Sequence, residues 1–277
     1  MIIGSNGFVG KNLSGYLKKF FNIYTINRNP LIENLKNVKC DIVKNNFLKS
    51  KIAKLPKFKY VINLSGQLEN SRSKMYNNIF IGNKNIINCF KNEKTKLIFF
   101  STTLVYGHSA DIKTIKSNPK PMSDYAKIKE KTEKLYKKKS NNFVIVRLAN
   151  VYDDKLKKKG LIKNLIDAIK NNKIIKINKM NSIKNYIHAS DMNKIIYLIL
   201  SKNSTRYTIN VVHENISNVK MINLFEKIFK KSIKFKNLKK GFADDPSIKL
   251  KLDLLFKKIK FKFDHTIEST LKKIYEK

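Results

Sequence analysis

Tyr125 and Lys129 stand four residues apart in PMSDYAKIKEKTE (121–133), a stretch with a helical pattern. That spacing sets both side chains on one face of a helix, one turn apart. An ammonium beside a phenol favours the phenolate and lowers its pKa. A tyrosine so tuned can exchange a proton with an alcohol or sugar oxygen while a hydride moves to or from the attached carbon. A nearby hydroxyl, Thr102 or Ser101 in STTLVYG (101–107), would hold that oxygen in place. Alone, Tyr-x-x-x-Lys is a weak signal in a chain rich in both residues. Its weight comes from order along the chain: a glycine turn, then Ser/Thr at a strand end, then the Tyr/Lys helix.

The glycine turn is MIIGSNGFVGKNL, with Gly4, Gly7 and Gly10 between an apolar start and a helical FVGKNLSGYLKKF. This is the context a phosphate-cradling turn requires. One glycine permits the tight turn, one lets backbone approach a pyrophosphate, and one lets the helix pack on the sheet. The helix N-terminus then offers its N–H groups to phosphate. At most three residues precede the turn, whereas an average strand has about five. The expectation is that a few N-terminal residues are missing.

These residues need a scaffold, and the first half of the chain supplies an alternation. FNIYTI (21–26), KYVINL (59–64), KLIFFS (96–101) and FVIVRL (143–148) read as buried strands. Helical patterns fill 7–20, 75–92 and 122–139. Strand–helix alternation predicts a parallel sheet with helices on both faces. Beyond it, 160–171, 190–202, 219–231, 247–257 and 265–276 look helical and 207–212 looks like a strand. The fold class expected is α/β: a Rossmann-type doubly wound parallel sheet with a smaller, mostly helical C-terminal substrate lobe. The domains expected are 1–150 for dinucleotide binding and 151–277 for substrate, with 207–212 returning to the first.

The 277 residues carry 59 Lys+Arg against 20 Asp+Glu, a formal charge of +39. Such a charge suggests nucleic-acid binding. Yet only Arg28, Arg72, Arg147 and Arg206 are arginines, and arginine is the residue that grips phosphate and bases bidentately. Abundant Lys, Asn and Ile is what an AT-rich genome produces, so nucleic acid is not the expected partner. An arginine that survives such drift is more often needed for its fork, which directs attention to Arg28 and Arg147. No apolar run reaches the roughly 20 residues of a membrane span. No secretory signal is visible, and Cys40 and Cys89 are isolated, without metal-ligand spacing. A reduced, cytoplasmic protein without a metal is expected. His188 reads as structural, since neither metal partners nor a nucleophile lie near it in sequence.

Taken together, the motifs resemble the extended short-chain dehydrogenase/reductases of the NAD-dependent epimerase/dehydratase family, whose members act on nucleotide sugars. GSNGFVGKNL resembles the cofactor turn. VINLSGQ (61–67) resembles the segment along the cofactor, and STTLVYG resembles Ser-Ser-x-x-Val-Tyr-Gly. RLANVY (147–152), KNYIHASDM (184–192) and YTINVVHENIS (207–217) resemble later segments. The resemblance implies that Thr102, Tyr125 and Lys129 are catalytic. It implies cofactor contacts from Gly4, Asn6, Gly7, Phe8, Val9 and Gly10, from Asn27 and Arg28, and from Asp41 and Ile42. Leu64, Ser65, Gly66 and Ser101, together with Tyr125 and Lys129 themselves, complete that set. Substrate contacts fall to Thr102, Thr103, Asn150 and Lys184, and a homodimer is implied through helices matching 75–92 and 122–139.

Departures bear on the reaction. Thr103 and Leu104 stand where the sugar 4,6-dehydratases carry an acidic pair, so water elimination is not expected. Asp153 and Asp154 replace a usual Gly-Pro, and Lys184 replaces an Arg. The expectation is an NAD(P)-dependent nucleotide-sugar epimerase or ketoreductase. The competing reading is a non-catalytic nucleotide- or RNA-binding protein on the same fold. An NAD reader ends its second strand in Asp or Glu about 20 residues after the glycine turn. Here that place holds Asn27, Arg28 and Asn29, so NADP(H) is slightly preferred over NAD(H).

Overall fold

The computed structural model describes residues 1–29, 35–66, 71–90, 94–156, 158, 160–237, 246–251 and 260–276. Its strands are β1 (Ile2–Ile3), β2 (Tyr24–Asn27), β3 (Lys36–Lys39), β4 (Tyr60–Asn63), β5 (Lys96–Thr102), β6 (Ile112–Lys113) and β7 (Phe143–Leu148). There follow β8 (Asn150–Tyr152), β9 (Ile175–Ile177), β10 (Ile183–His188), β11 (Tyr207–Val211), β12 (Glu214–Ser217), β13 (Phe235–Asn237) and β14 (Lys249–Leu250). The helices are α1 (Phe8–Leu17), α2 (Asn45–Ala53), α3 (Arg72–Tyr76), α4 (Gly82–Phe90), α5 (Asp124–Lys139), α6 (Leu161–Asn171), α7 (Ala189–Ser201), α8 (Asn218–Phe229) and α9 (Ile267–Tyr275). A π turn, Asn77–Ile81, joins α3 to α4.

The chain divides into two compact units. The first comprises Met1–Val105, Ser123–Leu148 and Asn193–Ile209, and the second Tyr106–Met122, Ala149–Met192 and Asn210–Lys277. A single cut at residue 150 therefore does not describe the path. Residues 106–122 belong with the second unit, and 193–209 with the first.

The seven-stranded sheet is parallel and runs in the order β11-β7-β5-β4-β1-β2-β3. Every residue of β5 is buried, as are five of the six in β7, which is why these strands read as unbroken apolar runs. Ile3, Ile26, Val61, Leu97, Phe99 and Ile145 from the strands meet Leu48, Ile86, Phe90 and Tyr136 from the helices in one core. The chain runs outward from β1 to β2 and β3, then returns to start β4 on the other side of β1. Between β1 and β4 the order reverses, and in sheets of this kind ligands bind at that reversal, outside the carboxyl ends of the strands.

In the second unit β8, β10 and β12 form a three-stranded sheet, and β6 pairs with β14 and β9 with β13. Its core joins Leu165, Ile166, Met221, Phe225, Ile267 and Leu271 from α6, α8 and α9. Asp191, fully buried, accepts the backbone N–H groups of Asp264 (3.2 Å) and His265 (3.1 Å), which fixes the approach to α9. The helix expected over 247–257 is not formed where it is described. Lys249 and Leu250 are strand β14, recruited by backbone pairing to Ile112 and Lys113, and 252–257 lie outside the described residues. Among the described residues no helix is long and apolar enough to cross a membrane.

Candidate active site

The glycine turn begins at Gly4, whose φ of +80° is open to glycine at little cost. Its N–H bonds the Ile26 carbonyl at 3.0 Å, tying the turn to β2. Gly7 caps α1 without a side-chain bond, and the helix has no acidic residue in its first turn. A Cβ on Gly10 would lie 2.5 Å from the Gly4 carbonyl oxygen and 2.6 Å from the Ser5 Cα. Both are backbone atoms, so only glycine lets α1 come this close. The result is a helix N-terminus with neither cap nor acid, the arrangement that accepts an anion.

A cavity of about 660 Å³ opens at this point. Ile3, Gly4, Asn6 and Gly7 line it after β1, and Ile26, Asn27, Arg28 and Asn29 at the end of β2. Cys40, Asp41 and Ile42 line it after β3, Leu64, Ser65 and Gly66 after β4, and Asn78 from the π turn. Ten of the residues expected at the cofactor are thus gathered: Gly4, Asn6, Gly7, Asn27, Arg28, Asp41, Ile42, Leu64, Ser65 and Gly66. Phe8, Val9 and Gly10 lie behind them in the first turn of α1. Ile3, Ile26, Asn29, Cys40 and Asn78 are not among the residues expected at the cofactor. Asn78 falls within a stretch read simply as helix, and only the π turn and the packing of α3–α4 bring it to the cavity.

Polar side chains hold this rim. The buried Asn27 donates Nδ2 to Ser5 Oγ at 2.8 Å and accepts the Asn6 N–H at 3.4 Å, so its side chain shapes the turn. Asn6 also donates to the Asn29 carbonyl. Asp41 accepts the Val43 N–H at 3.0 Å. Asn63 Oδ1 accepts both the N–H (2.9 Å) and the hydroxyl (2.6 Å) of Ser65, and Asn63 Nδ2 donates to Asn83 at 2.7 Å. Arg28 is exposed on the rim.

Helix α5 is capped by Ser123, whose hydroxyl accepts the Ala126 N–H at 3.2 Å, and it carries Tyr125 and Lys129, with Lys129 reaching β5. Tyr125 is half-buried beside Met75, Ile79 and Ile128. Lys129 is buried, and its Nζ donates to the Phe100 carbonyl at 2.8 Å. The same Nζ lies 4.9 Å from the Phe99 ring centroid and 5.6 Å from that of Tyr125. Thr102, two residues beyond Phe100, is buried, and its Oγ1 accepts the Leu104 N–H at 3.2 Å. Burial pushes the Tyr125 phenol up to about 12, opposite to the lowering expected from a neighbouring ammonium, and draws the Lys129 ammonium down to about 7, the latter opposed by Glu133.

Glu133 was not foreseen. It is buried one turn beyond Lys129 and takes a forked ion pair from Arg147 on β7, with Nε to Oε1 at 3.0 Å and Nη2 to Oε2 at 2.6 Å. The Ser101 hydroxyl donates to Glu133 Oε1 at 2.6 Å. Thr103 is buried in the 3-10 turn after β5.

Two residues expected at the substrate sit in the second unit. Asn150, on β8, donates Nδ2 to the Asn185 carbonyl at 3.1 Å. Lys184, on the neighbouring β10, donates Nζ to the Pro246 carbonyl at 3.0 Å. His188, at the end of β10, is buried there. Its Nδ1 accepts the Ser190 N–H at 3.2 Å, and its Nε2 lies 3.4 Å from Asp154.

A family model, the NAD dependent epimerase/dehydratase family, matches residues 1–212. No curated protein matches the chain. Among solved structures, dTDP-glucose 4,6-dehydratase of Bacillus anthracis with NAD has a TM-score of 0.86 at 18% identity, over 99% of this chain and 94% of that one. UDP-glucose 4-epimerase of Thermotoga maritima with UDP-glucose has 0.85 at 19%, over 99% and 96%. UDP-glucose 4-epimerase of Thermus thermophilus with NAD has 0.85 at 14%, over 99% and 97%. At such identities the likeness concerns the fold.

Proposed function

The chain belongs to the NAD-dependent epimerase/dehydratase family, and we propose that it is an epimerase or ketoreductase acting at a sugar carbon of a nucleotide sugar. One observation carries this reading: the first unit holds both a cavity of about 660 Å³ at the strand reversal and, on α5, a Tyr125–Lys129 pair whose Lys129 Nζ bonds the Phe100 carbonyl in the carboxyl half of β5. Relatives of the same fold are named for UDP-glucose and dTDP-glucose, which supports the substrate class. The acids of a dehydratase are missing at Thr103 and Leu104, which favours a reaction without water loss.

The cavity fits a nicotinamide dinucleotide. The Gly4–Gly10 turn would carry its pyrophosphate, and the β2 and β3 ends its adenosine half. When bound, the dinucleotide supplies the acceptor or donor of hydride. The chain's own task is the proton. Tyr125 Oη takes it from the sugar hydroxyl as the carbonyl forms and returns it in the reverse direction. Thr102 Oγ1 orients that oxygen, and Lys129 Nζ stabilises the phenolate by its charge. Asn150 and Lys184 are assigned to the substrate. A homodimer through α3–α4 and α5 belongs to the same reading, and a lone monomer in sedimentation velocity would count against it.

The test begins with the dinucleotide that purified protein carries. Retained NAD points to an epimerase, which recycles its cofactor, and an empty site that accepts NADPH points to a ketoreductase. Turnover on UDP- and dTDP-sugars is then compared with that of Tyr125→Phe. A loss of ~10²–10⁴-fold is expected for a general acid–base. Full activity in the variant would refute the assignment.

A further inference from the structure

Tyr125, Lys129 and Glu133 follow at intervals of four along α5 and so share one face. Lys129 and Glu133 are 2% and 1% exposed, and Arg147 is 2% exposed. Burying an ion pair is costly unless its geometry is good and its remaining lone pairs are satisfied. The Glu133 carboxylate meets that condition, with the Arg147 fork on both oxygens and the Ser101 hydroxyl on one. A pair that merely clamped α5 to β7 would be neutral. Here a second buried cation lies one turn away, so Lys129, Glu133 and Arg147 together carry one positive charge in excess. That excess balances the negative charge Tyr125 gains on losing its proton.

The other elements packed on α5 add little to this balance. Among the described residues, α3 offers Arg72, Lys74 and Tyr76, α4 offers Lys84 and Cys89, and β5 offers Lys96. Arg72 reaches Asp124 at 3.6 Å, Tyr76 lies 3.5 Å from Lys131, and Lys96 bonds the Lys202 carbonyl.

We propose that Glu133 is a positioning residue of the active site: its carboxylate, locked by Arg147 and Ser101, keeps the Lys129 side chain an ammonium and so sets the fraction of Tyr125 that stands as phenolate. This rests on the Tyr125–Lys129 reading above. Once the pair has lost one proton it is either phenolate with ammonium or phenol with amine. The two forms hold the same number of protons, so solution pH does not choose between them; the local field does. A carboxylate one turn from Lys129 favours the first form, and removing its charge tips the pair towards the second.

Near-ultraviolet phenolate absorbance measures that fraction in the full chain, without substrate. Subtracting Tyr125→Phe from wild type isolates one of the 12 tyrosines. Wild type is expected to show a Tyr125 phenolate step as the pair loses its first proton, its height reading the fraction that stands as phenolate with ammonium. In Glu133→Gln, referenced to Glu133→Gln/Tyr125→Phe, that step should shrink by about tenfold. Glu133→Asp, which keeps the charge but draws the carboxylate back by one methylene, should show a step between those of wild type and the neutral variant. If Glu133→Gln does not fold, Glu133→Asp decides: a reduced step supports the proposal and an unchanged one overturns it. A folded Glu133→Gln with the wild-type step also overturns the proposal and leaves the Tyr125–Lys129 reading standing. No step in wild type overturns both.

Discussion

Four arginines survive among 59 basic residues, and two of them reveal what the guanidinium is for. Arg147 is buried and spends its fork on Glu133. Arg28 is exposed on the rim of the cavity, between Asn27 and Asn29, where a carboxylate would have repelled a 2′-phosphate. Because Asn27 turns back to Ser5, Arg28 is the charged side chain at the end of β2. A charge-assisted hydrogen bond to it is worth ~1.5–3 kcal/mol, about 10–100-fold in affinity. NADPH is therefore expected to bind more tightly than NADH, and Arg28→Ala to remove that advantage while leaving NADH binding nearly unchanged. Paired titrations of both cofactors on both proteins check it. Equal binding in wild type, or an unchanged NADPH affinity in the variant, ends this reading and makes the epimerase the better assignment. The Tyr125–Lys129 pair was legible because helical spacing alone puts two such groups together. Glu133 was not, because on a helix rich in Lys and Glu an acid normally faces water. Only the packing of Arg147 against it shows otherwise.

Among the elements, those legible in sequence carry a strong period or a special residue. The long buried strands and α1, α5, α6 and α8 fall where apolar spacing puts them. The misses are short and lack a pattern. β3 is KNVK, with three exposed residues at the sheet edge, and is held by pairing with β2, by Asn37 Oδ1 accepting the Thr25 hydroxyl at 2.6 Å and by Val38 alone against the core. β14 has two residues and exists because β6 is there to pair with it. Helix α1 supplies a test within one element, since it holds two glycines of opposite character. Around Gly15 a Cβ would find nothing within 4 Å. Gly15→Ala should therefore stabilise the protein by ~0.5–1 kcal/mol, through helix propensity. Gly10→Ala drives a methyl into backbone and should cost ~1–3 kcal/mol, as overpacking does, with dinucleotide binding weakened at least as much. Thermal melts with a cofactor titration compare the two. Equal melting points would mean that the close approach of α1 to the turn is unimportant.

For the molecule as a whole, alternation was enough to give the class of fold, but not the chain's two excursions between the compact units, since residues 106–122 and 193–209 carry no local sign of which core they join. The charge of +39 is the other property that belongs to the whole chain. It sits overwhelmingly on lysines, which hold phosphate as point charges rather than by a planar fork. The buried cations Lys96, Lys129 and Arg147 are already committed to the Lys202 carbonyl, the Phe100 carbonyl and Glu133. What remains for a nucleic acid is an electrostatic surface without base readout. Binding of that kind releases counterions, and a protein making 6–10 phosphate contacts loses about 10³–10⁵ in affinity between 50 and 200 mM salt. Anisotropy titrations of a short RNA across that range should show such a collapse, with little dependence on base sequence. NADPH binding should change far less over the same range, because it draws on one cavity with shape, amide donors and a single arginine. RNA affinity that survives high salt, or RNA that competes with the dinucleotide, would instead make nucleic-acid binding a property of this site and reopen the non-catalytic reading of the fold.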